Sequence, residues 1–231
     1  MDLYKINCAV EGKSAENGLS ALAVMFPGKV VFTTSFGIED QVILHKIVTN
    51  GIDIKVATID TGRLFSETYE VFWQTLNRFD KKIHVYFPNY KSVEKIVSAS
   101  GPYSFFNSVE ERKECCRIRK VLPLRRAIEG MRVWVSGIRA KQSNERGQMQ
   151  QIEYDEQRRM FKYYPLFDWR FDDVRRYIDE KYVPYNVLHD SGFMSIGCQP
   201  CTRKVEPGED FRAGRWWWEE GVSKECGCHE D

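Results

Sequence analysis

Short runs of β-branched and aromatic residues alternate with helical patterns over the first two thirds of the chain. KVVFTT (29–34), IKVATID (54–60), KIHVYF (82–87) and RVWVSG (132–137) are apolar without a polar face, as strands covered on both sides are. Between and before them the spacing predicts helices over 15–26, 39–50, 66–79, 91–98 and 109–129. Strands separated by about 10 to 15 helical residues make crossover units, so the expected class is α/β with a parallel sheet flanked by helices. Residues 150–170 lack a helical period and are read as a hairpin, and FDDVRRYIDEKY (171–182) is an amphipathic helix opened by two acids. From Val183 the regular pattern fades. The expected division is a domain over 1–201 and a flexible, loosely held C-terminal tail over 202–231, where Gly and charge recur around one Trp triplet.

Composition narrows the function classes. Of 231 residues, 42% are hydrophobic and 13% aromatic, enough to build a core for one domain. Lys and Arg number 34 against 33 Asp and Glu, a net charge of +1 that excludes the broad basic surface of a nucleic-acid binder. Any anion site must be local. No run approaches the roughly 18 apolar residues of a membrane span, and MDLYKINCAVEGKSAENG lacks the apolar centre of a signal peptide, so no membrane contact and a cytoplasmic location are expected. Seven cysteines are too few for a disulfide scaffold and odd in number, which in a reducing compartment makes them candidate ligands or nucleophiles.

In an open parallel sheet, ligands bind beyond the carboxyl ends of the strands. Four distinctive loops fall there: TSFGIED (34–40), DTGRLF (60–65), FPNYKS (87–92) and SGIRAKQS (136–143). Thr34, Ser35 and Gly37 offer hydroxyls and backbone N–H groups at a helix start, a seat for an anion, and Arg63, Arg139 and Lys141 add positive charge. One such loop could be an ordinary helix cap. Four on one rim point to a nucleotide or another phosphate-bearing ligand, and the lack of GxGxxG and GxxxxGK[ST] argues against a dinucleotide fold and a P-loop ATPase.

The cysteines form two pairs and a tail motif. From Arg112 to Arg126 seven basic residues and the single acid Glu114 surround Cys115 and Cys116, and IGCQPCT (196–202) carries Cys198 and Cys201 as C-x2-C. Four thiols suffice for one closed site, whose sulfur ligation selects zinc or an iron-sulfur cluster. An adjacent pair suits a cluster better, because its irons sit at separate corners, and the basic residues would balance the negative charge of four thiolates. In KECGCH (224–229), Cys226 stands between Lys224 and His229, cations that lower a thiol pKa and favour a nucleophilic thiolate. Arg212 and Arg215 upstream could neutralise an anionic substrate.

Together, TSFGIED, IDTGRLFSETY, CC-x2-RK-x2-PLRRA, WVSGIRAKQS, IGCQPCT, GEDFRAGRWWW and KECGCH resemble the assimilatory adenylyl-sulfate (APS) and phosphoadenylyl-sulfate (PAPS) reductases, in that family's order from about Val30 to His229. The resemblance implies an adenine nucleotide alpha hydrolase-like fold, related to the ATP pyrophosphatases but with TSFGIED in place of their SGG-x-DS loop. It implies the cluster-bearing branch, with Cys115, Cys116, Cys198 and Cys201 as ligands of a 4Fe-4S cluster; that branch mostly uses APS, and some members also accept PAPS. By similarity, Lys120, Arg139, Arg212, Arg215 and His229 contact substrate and Cys226 is the nucleophile. Where the family usually has Leu, this chain has Cys228. The activity implied is reduction of APS to sulfite and AMP through an S-sulfocysteine, with thioredoxin or a similar dithiol as partner, and a homo-oligomer is expected. Two competing readings are an RNA thiolation enzyme of the ATP pyrophosphatase type, which would need the missing ATPase loop, and a zinc-stabilised nucleotide-binding module without chemistry.

Overall fold

Alternate residues of each strand point to opposite faces, and here both faces find apolar partners. The computed structural model describes residues 3–143 and 146–219. Strands β1 (Val30–Thr34), β2 (Lys55–Ile59), β3 (Ile83–Tyr86), β4 (Val133–Val135), β5 (Ile152–Asp155) and β6 (Met160–Tyr163) form one sheet in the order β3-β2-β1-β4-β6-β5. Val30, Phe32, Val56, Val133, Val135 and Phe161 face a core shared with helices α1 (Leu3–Val10), α2 (Ala15–Met25), α3 (Ile38–Thr49), α4 (Ser66–Arg78) and α8 (Phe171–Lys181). Val31, Ala57, Trp134 and Met160 face the other way, against α7 (Leu122–Ile128). Burying each large apolar side chain contributes roughly 1.5 to 3 kcal/mol, which is why these strands carry no polar face. The remaining helices are α5 (Tyr90–Ser100) and α6 (Val109–Cys116). α6 runs through a π-helical turn, Arg117–Val121, into α7, so the helix expected over 109–129 is one unbroken path with a widened turn directly after Cys116.

β1 pairs in parallel with β2 and β4, and β2 with β3. The chain therefore leaves β1 in one direction and returns on its other side, so the crevice between β1 and β4 is a topological switch point. The expected hairpin is present as β5 and β6, and it joins the same sheet, β6 lying parallel to β4. No described helix is long and apolar enough to cross a membrane.

The reading of everything after 201 as loosely held needs correction up to Glu219. Thr202 bridges Arg215, Trp216 is 1% exposed, and Arg212, Arg215 and Glu219 are buried. This segment is held by one deep Trp and paired charges rather than by a periodic stripe, so pattern reading missed it. Residues 220–231, with Cys226, Cys228 and His229, lie outside the described residues.

Candidate active site

The loop after β1 runs straight into the start of α3. Thr34 Oγ1 accepts the Phe36 N–H at 2.9 Å, and Phe36 takes φ 59°, held there by its buried ring stacked on Phe72. Gly37 then caps α3, whose first turn lines a cavity at the strand ends. N–H groups in a first helical turn have no intrahelical partner, and the helix dipole adds to their attraction for negative charge. Asp40 folds back to accept from the Ser35 N–H at 2.6 Å and from its hydroxyl at 2.8 Å, fixing the loop. The β4 loop crosses so closely that a Cβ on Gly137 would stand 2.4 Å from Asp40 Oδ1. Burial pushes the Asp40 carboxyl up to about 6 against the Ser35 hydrogen bonds, with the Glu39 charge adding to the rise and Lys120 opposing it.

The cysteines form another wall of the same cavity. α6 is capped by Ser108, whose hydroxyl accepts from Glu111 N–H at 3.1 Å, and it ends on Cys115 and Cys116. Cys198 and Cys201 bracket a 3-10 turn in which Cys201 N–H donates to Cys198 O at 3.0 Å. The turn is tied to the β2 loop: Gln199 N–H donates to Arg63 O at 2.8 Å, and Thr61 Oγ1 lies 3.2 Å from Cys198 Sγ. All four cysteines line the cavity, and among the described residues no three His, Cys, Asp or Glu are grouped as the ligands of a single ion. Burial raises the Cys115 pKa against the pull of Arg63 and Arg119; burial and the neighbouring thiols push Cys201 well up, opposed by Arg215. Thiols of this kind carry charge when a metal takes the place of their protons.

Thr34, Ser35, Gly37, Arg63, Lys120, Arg212 and Arg215 all line this cavity. Arg215 is seated over Trp216, 4.7 Å from the ring centroid, and so close to Gly197 that a Cβ there would meet its guanidinium at 2.3 Å. Arg139 differs. It is 1% exposed and off the cavity wall, its Nε donating to Glu39 Oε1 at 2.8 Å and its guanidinium lying between Phe171 and Phe211. The cavity receives Arg146 instead, which donates to Gln142. The FPNYKS loop also stays away from the cavity, because β3 is the edge strand. Sequence reading missed Arg146, His189, Thr61 and Arg119, whose Nη1 donates to Thr61 O at 2.8 Å. Arg146 carried a weak signal, one helical turn beyond Gln142 in a basic loop; His189 carried none.

Residues 29–204 match the family model described as the phosphoadenosine phosphosulfate reductase domain. The chain belongs to that family. A relative from Sinorhizobium fredii, named adenosine 5'-phosphosulfate reductase, is 44% identical over 224 residues, covering 97% of this chain and 89% of the relative. The crystal structure of a phosphoadenylyl-sulfate reductase from Candida auris, a phosphate complex, superimposes with a TM-score of 0.75 at 28% identity, covering 89% of this chain and 98% of that one. An FMN adenylyltransferase from Candida glabrata shares the fold alone, with a TM-score of 0.52 at 14% identity, covering 90% of this chain and 69% of that one. The reductase family and this adenylyltransferase neighbour agree with the adenine nucleotide alpha hydrolase-like architecture expected from the sequence.

Proposed function

We propose that this chain is an adenylyl-sulfate reductase, which reduces APS to sulfite and AMP in sulfate assimilation with thioredoxin or a similar dithiol as donor. The observation that carries the reading is the meeting of both cysteine pairs with Lys120, Arg212 and Arg215 on one cavity at the switch point of the sheet. The relatives named adenosine 5'-phosphosulfate reductase support APS over its 3'-phosphorylated form, the Candida auris protein being the more distant in sequence.

Cys115, Cys116, Cys198 and Cys201 are the proposed ligands of a 4Fe-4S cluster. The chemistry of the donor set fits one: four thiols on one cavity, with Arg63, Arg119 and Arg215 close enough to act on them. When bound, such a cluster supplies a fixed centre that orders the site and contributes its field near the sulfate. The sulfate-phosphate anhydride has an electrophilic sulfur and a good leaving group. In the proposed reaction the Cys226 thiolate attacks that sulfur, an S–S bond forms as the S–O bond to phosphate breaks, and AMP leaves with the electron pair. Lys120, Arg146, Arg212 and Arg215 hold the growing negative charge, while Thr34, Ser35 and Gly37 seat the phosphate. A donor thiolate then attacks the Cys226 sulfur, sulfite departs, and the donor's second thiol closes its disulfide, so both electrons come from the dithiol. The cytoplasm, where thioredoxin keeps thiols reduced, is the matching compartment. Sulfite release is the test, measured with APS and with PAPS, each with thioredoxin. Release from APS supports the reading; release from PAPS alone makes the chain a PAPS reductase, and release from neither overturns it.

A further inference from the structure

His189 lines the cavity on a 3-10 turn, Val187–Ser191, and is only 9% exposed. The turn is anchored by the side chain of Asn186, which precedes it. Asn186 accepts the Leu188 N–H at 3.0 Å and donates its amide to Thr68 Oγ1, 3.1 Å away in the first turn of α4. Neither ring nitrogen of His189 makes a hydrogen bond of good geometry among the described residues, although the Phe193 main chain lies close. A buried polar group without a partner is destabilising, and a ligand that hydrogen-bonds the ring would relieve the loss. Its surroundings say which ligand. The first turn of α3 lines the same cavity, and so does Ser195, which accepts from Arg212 Nη1 at 3.4 Å. The ring thus shares its cavity with a helix N-terminus and a guanidinium, both of which attract an anion. Burial keeps the ring below the usual His range, and even a neutral imidazole carries one N–H to donate.

We propose that His189 is a substrate-contacting residue that donates a ring N–H to the phosphate-sulfate group of the bound nucleotide. The proposal rests on the sulfonucleotide reading given above. The test compares the cluster-loaded native protein with His189→Gln and His189→Phe, using kcat/KM for APS with thioredoxin and the affinity for adenosine, which lacks the anion. The expected result for His189→Phe is a kcat/KM about 10- to 100-fold lower with adenosine binding unchanged, and partial recovery in His189→Gln, whose amide can still donate. The native protein provides a check that needs no folded variant: of its four histidines, the His189 ring nitrogens should shift in the NMR spectrum with APS and not with adenosine. Unchanged turnover, equal weakening of adenosine, or a ring that responds to both ligands alike overturns the proposal. A native protein that turns over APS normally while the variants match it removes His189 alone; one that neither binds nor reduces a sulfonucleotide removes the reading beneath it.

Discussion

Gly197 and Arg215 show how one missing side chain positions another. The guanidinium occupies the space that a Cβ on residue 197 would need, and the atom in the way is the far end of a flexible side chain rather than backbone. Gly197→Ala should therefore leave the fold nearly intact while displacing Arg215 from the cavity. Losing one charged hydrogen bond to the anion costs about 1.5 to 3 kcal/mol, so kcat/KM should fall about 10- to 100-fold with a thermal midpoint close to native. A large drop in midpoint with normal turnover would assign Arg215 to the core instead. Asp40 gives a prediction in pH. Its folded pKa of about 6 lies above its ordinary value of 3.8 because burial penalises the charge. Between those values the folded chain keeps a proton that the unfolded chain has lost, so this group makes stability fall as pH rises from about 4 to about 6, by roughly 3 kcal/mol in all, with no further change above. Asp40→Asn removes the titration and keeps a carbonyl to accept from Ser35. Its stability advantage in denaturant titrations should grow across that window and then level off; parallel profiles for the two proteins would contradict the assignment.

At the scale of elements, the clamp between α6 and the last described segment carries a third prediction. Arg112 donates from Nε and Nη2 to the Glu219 carboxylate at 2.9 and 2.8 Å, with side chains 1% and 5% exposed, and it stacks on Trp216. Removing one partner leaves a buried charge, so Glu219→Ala should lose about 3 to 5 kcal/mol, and an apolar pair, Arg112→Met with Glu219→Leu, should recover much of it. Equal losses in the single and double variants would show that the pair itself is not the anchor. This clamp also marks where the sequence stopped being legible. β1 to β4 and their crossover helices were readable because an apolar run buried on two faces has few other uses. The β5-β6 hairpin was readable as a hairpin, but not its place beside β4, which depends on pairing between distant strands. α1 and the packing of 202–219 were missed, the latter because its contacts with α6 are tertiary and follow no period. The cysteine pairs, Arg212 and Arg215 stood out by type and spacing and Lys120 by the family resemblance, whereas the burial of Arg139 against Glu39 was not legible because it depends on a contact between distant residues.

The whole molecule carries almost no net charge, yet Arg63, Arg119, Lys120, Arg146, Arg212 and Arg215 converge on one cavity. The field that meets an anion is therefore made by placement, with Glu39 and Asp40 the acids that line the same cavity. The proposed cluster would act at this same scale, because its ligands come from α6 and from a turn about 80 residues further along the chain. Joining two such points removes freedom from the unfolded chain, and a closure of that length is worth about 4 kcal/mol in the loop-entropy picture. It would also let Cys115 and the still more strongly perturbed Cys201 become thiolates without an unpaired buried charge. Loss of the cluster should then damage the fold and the chemistry together. Cys115→Ser and Cys198→Ser are expected to lack iron and the broad absorption at about 400 nm, to lose most sulfite release, and to melt roughly 8 to 16 °C below the native protein. Anaerobic chelation of the native chain should give the same fall in midpoint. Cys8→Ser, an exposed thiol on α1, should change none of these readings. Full iron content with a native midpoint in both cysteine-pair variants would remove the cluster, and with it the account of why four thiols and these basic side chains share one cavity.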